Sequence, residues 1–211
     1  MKPKILVFGV GNNDADYVVE KRETVGYVDG KRKQKLIWIC PYYRTWKSML
    51  TRCYSAKTQN RQPTYKVCSV STEWLSFSVF KNWMVTQDWE GLELDKDLLI
   101  KGNKVYSAET CTFVPKMVNT FVNDSRATRG EWPLGVDWHK PTEKFRSQCS
   151  NPLTRKRENL GLFACEQEAH NAWRKRKLEL AHELAAIQSD PRVAKALVDR
   201  YSNPQISEKV K

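Results

Sequence analysis

The sequence is poor in long apolar runs, in histidine and in closely spaced cysteines. Its longest apolar stretches, Ile5–Val10 and Leu36–Cys40, fall far short of the roughly 20 residues that span a bilayer. No cleavable apolar segment opens the chain, so neither a membrane-spanning nor a secreted protein is expected. Cys40, Cys53, Cys68, Cys111, Cys149 and Cys165 form no C-x-x-C pair. Zinc knuckles and ribbons need such paired spacings, so reduced core thiols of a cytosolic protein are expected instead. Gly9-Val10-Gly11 lacks the third glycine of a dinucleotide-binding turn and opens no helical pattern. No internal repeat is visible. Only His139, His170 and His182 are available as imidazole bases; His139 lies in the second of two modules, and His170 and His182 read as ordinary surface or cap residues of a long helix.

Acidic residues are also scarce where basic ones gather. The 211 residues carry 36 Lys+Arg against 24 Asp+Glu, a formal net charge of +12, which points to a polyanionic partner. Residues 31–66 hold Lys31, Arg32, Lys33, Lys35, Arg44, Lys47, Arg52, Lys57, Arg61 and Lys66 with no Asp or Glu. Trp38, Tyr42, Tyr43, Trp46, Tyr54 and Tyr65 are interleaved among them. Acids collect instead at Asp88, Glu90, Glu93, Asp95 and Asp97, where they repel phosphate unless a cation intervenes. A metal-bearing acidic spot on a basic protein suits phosphodiester chemistry. With 40% hydrophobic residues and eight Trp, the chain has enough apolar surface to fold as one ordinary domain or two small ones.

Local patterns predict the elements. Ile5–Val10 reads as a short strand before the turn cluster Gly11-Asn12-Asn13-Asp14. Asp29-Gly30 supplies the positive-φ turn of a hairpin between Val25–Val28 and Lys35–Ile39. Pro41 opens a helix in which Tyr42, Trp46, Met49, Leu50 and Cys53 recur at helical spacing, leaving Arg44, Lys47 and Arg52 on more polar faces for phosphate. Glu73 to Met84 reads as a second amphipathic helix with an aromatic core stripe. Gly91–Asp95 returns to strand, residues 101–104 turn, Val105-Tyr106 begins the return strand, and Val114–Val122 is a short helix, together a ββα pattern. Beyond a linker come strands at 134–138, 144–149 and 157–161, a long helix over Cys165–Ile187, a further helix over Arg192–Tyr201 and a polar tail.

Two segments carry a resemblance. The first runs Trp46-x-x-Met49-Leu50-x-Arg52-Cys53-Tyr54, Val67-Cys68, Glu73-Trp74, Phe77-x-x-Phe80-x-x-Trp83, Leu94-Asp95-Lys96-Asp97, Gly102-Asn103-x-x-Tyr106-Ser107-x-Glu109-x-Cys111-x-Phe113-Val114 and Asn119. It resembles the HNH homing-endonuclease-like proteins of tailed bacteriophages. The second, Pro133-Leu134-Gly135-Val136, Lys144-Phe145-Arg146 and Leu160-Gly161-x-Phe163 before an Ala-rich helix, resembles the ethylene-response-factor type of DNA-binding domain. Together they cover roughly residues 40–185. The resemblance implies metal-assisted phosphodiester cleavage on a ββα element. Asp95 matches the acidic ligand and Asn119 the helical one for Mg2+ or Mn2+, and Asn103 and Thr110 fall where the family pins its loop. Lys96 stands where the family has the His that deprotonates water. A Lys of ordinary pKa, about 10.4, is protonated at neutral pH and fails as a base.

Strand alternation puts Asp95 and Asp97 on one face, able to co-ligate a divalent cation, and Lys96 on the other. In the second module alternation sends Phe145, Leu160 and Leu162 toward the helix, with Trp138 and Trp173 assigned to the core. Lys144, Arg146, Gln148, Arg157 and Asn159 then share the opposite face with Asp137 and His139. The resemblance implies that this face lies in the DNA major groove. There Arg146 and Arg157 would read guanine, Gln148 and Asn159 adenine.

The expected fold is α+β: a degenerate HNH-like ββα module followed by a small three-stranded sheet packed on a long helix. The expected divisions are a β-rich extension (1–40), the HNH-like module (41–125), a linker (126–132), the ethylene-response-factor-like module (133–188) and a C-terminal helix and tail (189–211). The expected partner is DNA in the cytoplasm of an infected bacterial host. Three readings stay open: a metal-dependent nicking or cleaving endonuclease, a DNA-binding protein without catalysis, and a phage protein that binds a host or viral protein.

Overall fold

The computed structural model describes residues 6–123 and 131–202. Most of the linker expected at 126–132 and the polar tail lie outside them. Two units result: residues up to 97 with 102–113, and residues 98–101 with everything from 114 onward. The fold is mixed α+β.

The N-terminal unit begins with a departure from expectation. Residues 6–11 make a turn instead of a strand, because Phe8 (φ 53°) and Gly9 (φ 77°) are both left-handed. Gly11 is held against the core: a Cβ there would lie 2.4 Å from Leu50 Cδ1. The expected hairpin forms, and is longer than its alternation suggested, with β1 (Glu20–Val28) antiparallel to β2 (Lys31–Ile39). Asp29 (φ 49°) and Gly30 (φ 71°) supply two successive positive-φ residues, the requirement of a two-residue turn that matches strand twist. Both faces of this ribbon are largely exposed, and Lys31, Lys33 and Lys35 share one of them.

Helix α1 (Pro41–Tyr54) starts at Pro41, whose missing N–H costs nothing in a first turn, and buries Tyr43, Trp46, Met49, Leu50 and Cys53. After α2 (Ala56–Arg61) and β3 (Ser69–Val70), the second amphipathic segment divides. Glu73–Leu75 is a 3-10 turn, and the α-helix α3 runs Phe77–Val85. Its start is capped from a distance, since the Asp14 carboxylate accepts from the Ser76 hydroxyl (2.6 Å) and the Ser78 amide (2.8 Å). The aromatic stripe is core, as expected: Trp74, Phe77 and Phe80 are buried, and the Trp46 indole donates to the Trp74 carbonyl (2.7 Å).

A strand–strand–helix succession is present, but its return strand is not the expected Val105-Tyr106. Strand β4 (Glu93–Asp95) pairs with β6 (Thr112–Val114), the strand immediately before the 116–122 helix, while β5 (Val105–Tyr106) pairs in parallel with β3. The two strands expected to be neighbours therefore lie in different small sheets. Asn103 nevertheless pins the intervening turn, its amide donating to the carbonyls of Lys96 (2.7 Å) and Val105 (2.6 Å).

In the C-terminal unit, helix α4 (Lys116–Val122), read from sequence as the last element of the ββα module, shares a core with the downstream elements. Strands β7 (Val136–His139), β8 (Lys144–Ser150) and β9 (Arg157–Phe163) form an antiparallel sheet in that order. Helix α5 (Glu166–Ala185) covers one face, and α6 (Pro191–Ser202) packs on α5. Leu180, Ala181, Leu184, Val193 and Leu197 close this core with Val114, Val118 and Cys149. Gly135 (φ 78°) underlies Trp173, whose ring would sit 1.9 Å from a Cβ at that position.

Candidate nucleic-acid interface

Pairing fixes the faces of the three-stranded sheet. Ser147 and Cys149 are buried toward α5, so Lys144, Arg146 and Gln148 project from the other side. Opposite them stand His139, Asp137, Leu162 and Asn159. Lys144, Arg157 and Asn159 are exposed. The expected polar face is therefore there, with two corrections. Gly161 (φ 123°) accompanies a bulge in which Leu160 is the extra residue, and this reverses the alternation beyond it. Leu160 packs on the core, whereas Leu162 lands on the open face at 40% exposed. Trp138, assigned to the core, is 39% exposed; it stacks edge-on against Phe145 at the end of the sheet away from the buried Ser147 and Cys149.

Arg146 is not a free fork. Its Nε and Nη2 contact both Asp137 oxygens, at 3.3 and 2.7 Å, across the β7–β8 pair. The pair neutralises the carboxylate that this face presents beside Lys144 and Arg157. The loop from β8 to β9 is built with care: buried Asn151 accepts from the amides of Leu153 and Thr154 and donates to Glu158 (2.7 Å). Glu158 also accepts from Arg176 Nε (2.6 Å), and these bonds hold its carboxyl at about 2 against an ordinary 4.5. Arg155, Lys156 and Arg157 are thereby presented outward on a fixed loop. Arg155 and Lys156 were missed as candidates, although three successive cations between two strands are a readable signal.

The N-terminal cations behave differently. Lys47 pairs with Glu20 (2.5 Å), and Arg52 donates to the Leu94 carbonyl (3.5 Å) and the Tyr106 hydroxyl (3.3 Å). Neither is displayed for phosphate as expected; Arg44 is exposed on α1. The helical run Arg174-Lys175-Arg176-Lys177 is likewise divided. Arg176 serves Glu158, Glu179 and Glu183, and Lys177 is buried, donating to the Phe121 carbonyl (2.7 Å). His170 is buried with Nδ1 2.9 Å from the Leu134 carbonyl, a core histidine instead of the surface or cap residue expected.

At the acidic turn, β4 ends at Asp95, so the expected alternation stops there. Asp95 Oδ1 accepts from the Asp97 amide (2.8 Å), and Asp97 turns to the ammonium of Lys96 (3.1 Å). Burial lowers the pKa of Lys96, but Asp97, with Asp95 behind it, more than compensates and leaves it raised. Lys96 is therefore an ammonium at neutral pH. Asp95 and Asp97 do not fit a divalent cation in this arrangement, because Mg2+ or Mn2+ would have to displace that ammonium and the turn amide. Asn119, the third expected ligand, belongs to the other unit. Among the described residues no group of three or more His, Cys, Asp or Glu converges.

Five of the six cysteines are buried and unbridged, and burial pushes the Cys53 and Cys111 thiols up to about 12. Among the described residues no helix is long and apolar enough to cross a membrane. Comparison with protein-family models, with characterised proteins and with solved structures finds no match.

Proposed function

We propose that the protein binds duplex DNA on the open face of the β7–β8–β9 sheet. The observation that carries this reading is the asymmetry of that sheet. One face is covered by α5; the other exposes Lys144, Arg157 and Asn159, beside the Arg155-Lys156 loop, with Asp137 already neutralised by Arg146. Three strands spaced by about 4.8 Å make a surface near the width of a major groove. Arg157 and Asn159 are the residues of this face best placed to meet base edges. The β1–β2 ribbon of the other unit has an exposed row of its own, Lys31, Lys33 and Lys35, in which alternate strand residues lie about 7 Å apart along one face, a separate surface for phosphate. The resemblance to phage proteins gives the setting of this reading, DNA in the cytoplasm of an infected bacterium.

Binding without cleavage is preferred over metal-dependent nicking because of the Lys96–Asp97 pair. The test is equilibrium binding to duplex DNA across a salt series, with a plasmid-nicking assay in Mg2+ and Mn2+ beside it. Log affinity should fall with log salt by about 0.9 per phosphate contact, and the plasmid should stay intact. Weak binding indifferent to salt would remove the DNA reading in favour of a protein partner. Nicking lost in Asp95→Ala would restore the endonuclease reading.

A further inference from the structure

Within the C-terminal unit a cleft of about 800 Å3 opens between α4, Leu134-Gly135, the end of β8, the β8–β9 loop and α5. Two of its properties point to one class of ligand. First, its charged lining is of one sign: Lys116, Arg155, Lys156, Arg157 and Lys177, with no carboxylate. The acid nearest in sequence, Glu158, is turned away onto Arg176 and Asn151. Second, Met117, Phe121, Leu134 and Trp173 give the cleft an apolar side.

The geometry points to a nucleotide as the occupant: a phosphate on the Arg155-Lys156-Arg157 loop with Lys116, and a heterocycle against the apolar side. Inorganic phosphate would leave the apolar wall unused. An uncharged ring would leave the cations without a counter-charge. The volume lies within the range of small-molecule sites. The site is also prepared in advance, because Asn151 fixes the loop through three hydrogen bonds and Arg155 is held at φ 59°. The nucleotide is either free or carried unpaired on a DNA strand, and only the second source rests on the DNA reading above.

The experiment uses the full chain in two arms. Calorimetric titration compares the four 5′-mononucleotides with inorganic phosphate and with the unphosphorylated nucleosides. Anisotropy compares a blunt duplex with one carrying a single unpaired, 5′-phosphorylated nucleotide. A mononucleotide should bind at least tenfold tighter than phosphate or nucleoside. Thr120→Trp, which fills the cleft from an exposed position, and Lys156→Glu should each abolish that binding. Preference for the unpaired end, lost in Thr120→Trp while blunt-duplex binding persists, assigns the ligand to a strand. Mononucleotide binding without that preference assigns it to a free nucleotide. Mononucleotide binding with no duplex bound at all keeps the cleft and removes the DNA reading. Blunt-duplex binding with neither mononucleotide binding nor end preference overturns the cleft and keeps the DNA reading. Mononucleotide binding unchanged in both Thr120→Trp and Lys156→Glu also overturns it.

Discussion

The two units use the same side chains in opposite ways. In the N-terminal unit the cations singled out by their position turn onto their own chain: Lys47 onto Glu20, Arg52 onto the Leu94 carbonyl and Tyr106, Lys96 onto Asp97. In the C-terminal unit the carboxylates do the bonding beneath, Asp137 to Arg146 and Glu158 to Arg176, and other cations are left facing outward. A cation in a sequence marks a surface for phosphate only when the fold supplies no closer acceptor. That depends on contacts tens of residues away, as between Arg52 and Leu94 or Tyr106.

The largest expected effect concerns how each unit closes its core. Gly135 combines a left-handed backbone with direct contact to Trp173, so Gly135→Ala adds backbone strain to overpacking. It should destabilise the C-terminal unit by about 3–5 kcal/mol in denaturant unfolding. Gly102 is also left-handed but faces open space, so Gly102→Ala should cost about 1–2 kcal/mol, from strain alone. Equal losses would mean that Trp173 is not seated as described.

The sheet-face contrast is tested next. Arg157→Ala should cost about 1–3 kcal/mol on a preferred DNA site, whereas Arg52→Met should leave the salt dependence unchanged and act on stability alone. Asp137→Ala should strengthen DNA binding, because it removes a carboxylate and releases Arg146. Identical losses of affinity for Arg52→Met and Arg157→Ala would erase the distinction between the units.

How far these contrasts were legible follows from the range of the signals. The Asp29-Gly30 hairpin, α1, α5 and the three C-terminal strands rest on turn chemistry and periodicity within a dozen residues, and all are there. The pairings β3–β5 and β4–β6 involve strands of two or three residues, too short for any pattern, with partners set by the tertiary fold. The Asp95/Asp97 face failed for the same reason: alternation needs a strand, and β4 ends at Asp95. Leu162 failed because one bulge reverses every later residue, and Gly161 was its visible sign. The cleft gave no signal in sequence beyond its three cations, since its walls are drawn from α4 to α5.

The buried ammonium offers a smaller test. Lys96 is 7% exposed, while the side chain of Asp97 is 40% exposed. Asp97→Asn strands a buried charge and should cost about 1–2 kcal/mol, below the range for a fully buried pair. Lys96→Met removes the buried ammonium itself and leaves Asp97 with access to solvent, so it should cost less. The reverse order would place Lys96 in solvent and reopen its role.

The smallest effect is a pH dependence in the other unit. Glu158 has its carboxyl depressed from 4.5 to about 2, so whatever its bonds to Arg176 and Asn151 contribute is present above about 4.5. That contribution is lost as pH falls through about 2, because the unfolded chain takes up the proton first. The pair is only half-buried, so solvent screening keeps the change in global stability small. The local change should be larger, since Glu158 anchors the loop that presents Arg155, Lys156 and Arg157. Carboxyl titration by NMR should place Glu158 near 2, and Arg176→Gln should return it toward the ordinary range. In that variant the amides of Leu153 and Thr154 should exchange faster at neutral pH while the N-terminal unit is unaffected. A Glu158 that titrates as an ordinary carboxylate would mean that the loop is not held from beneath, and the cations of the C-terminal unit would then be no more ordered for phosphate than Arg44 on α1.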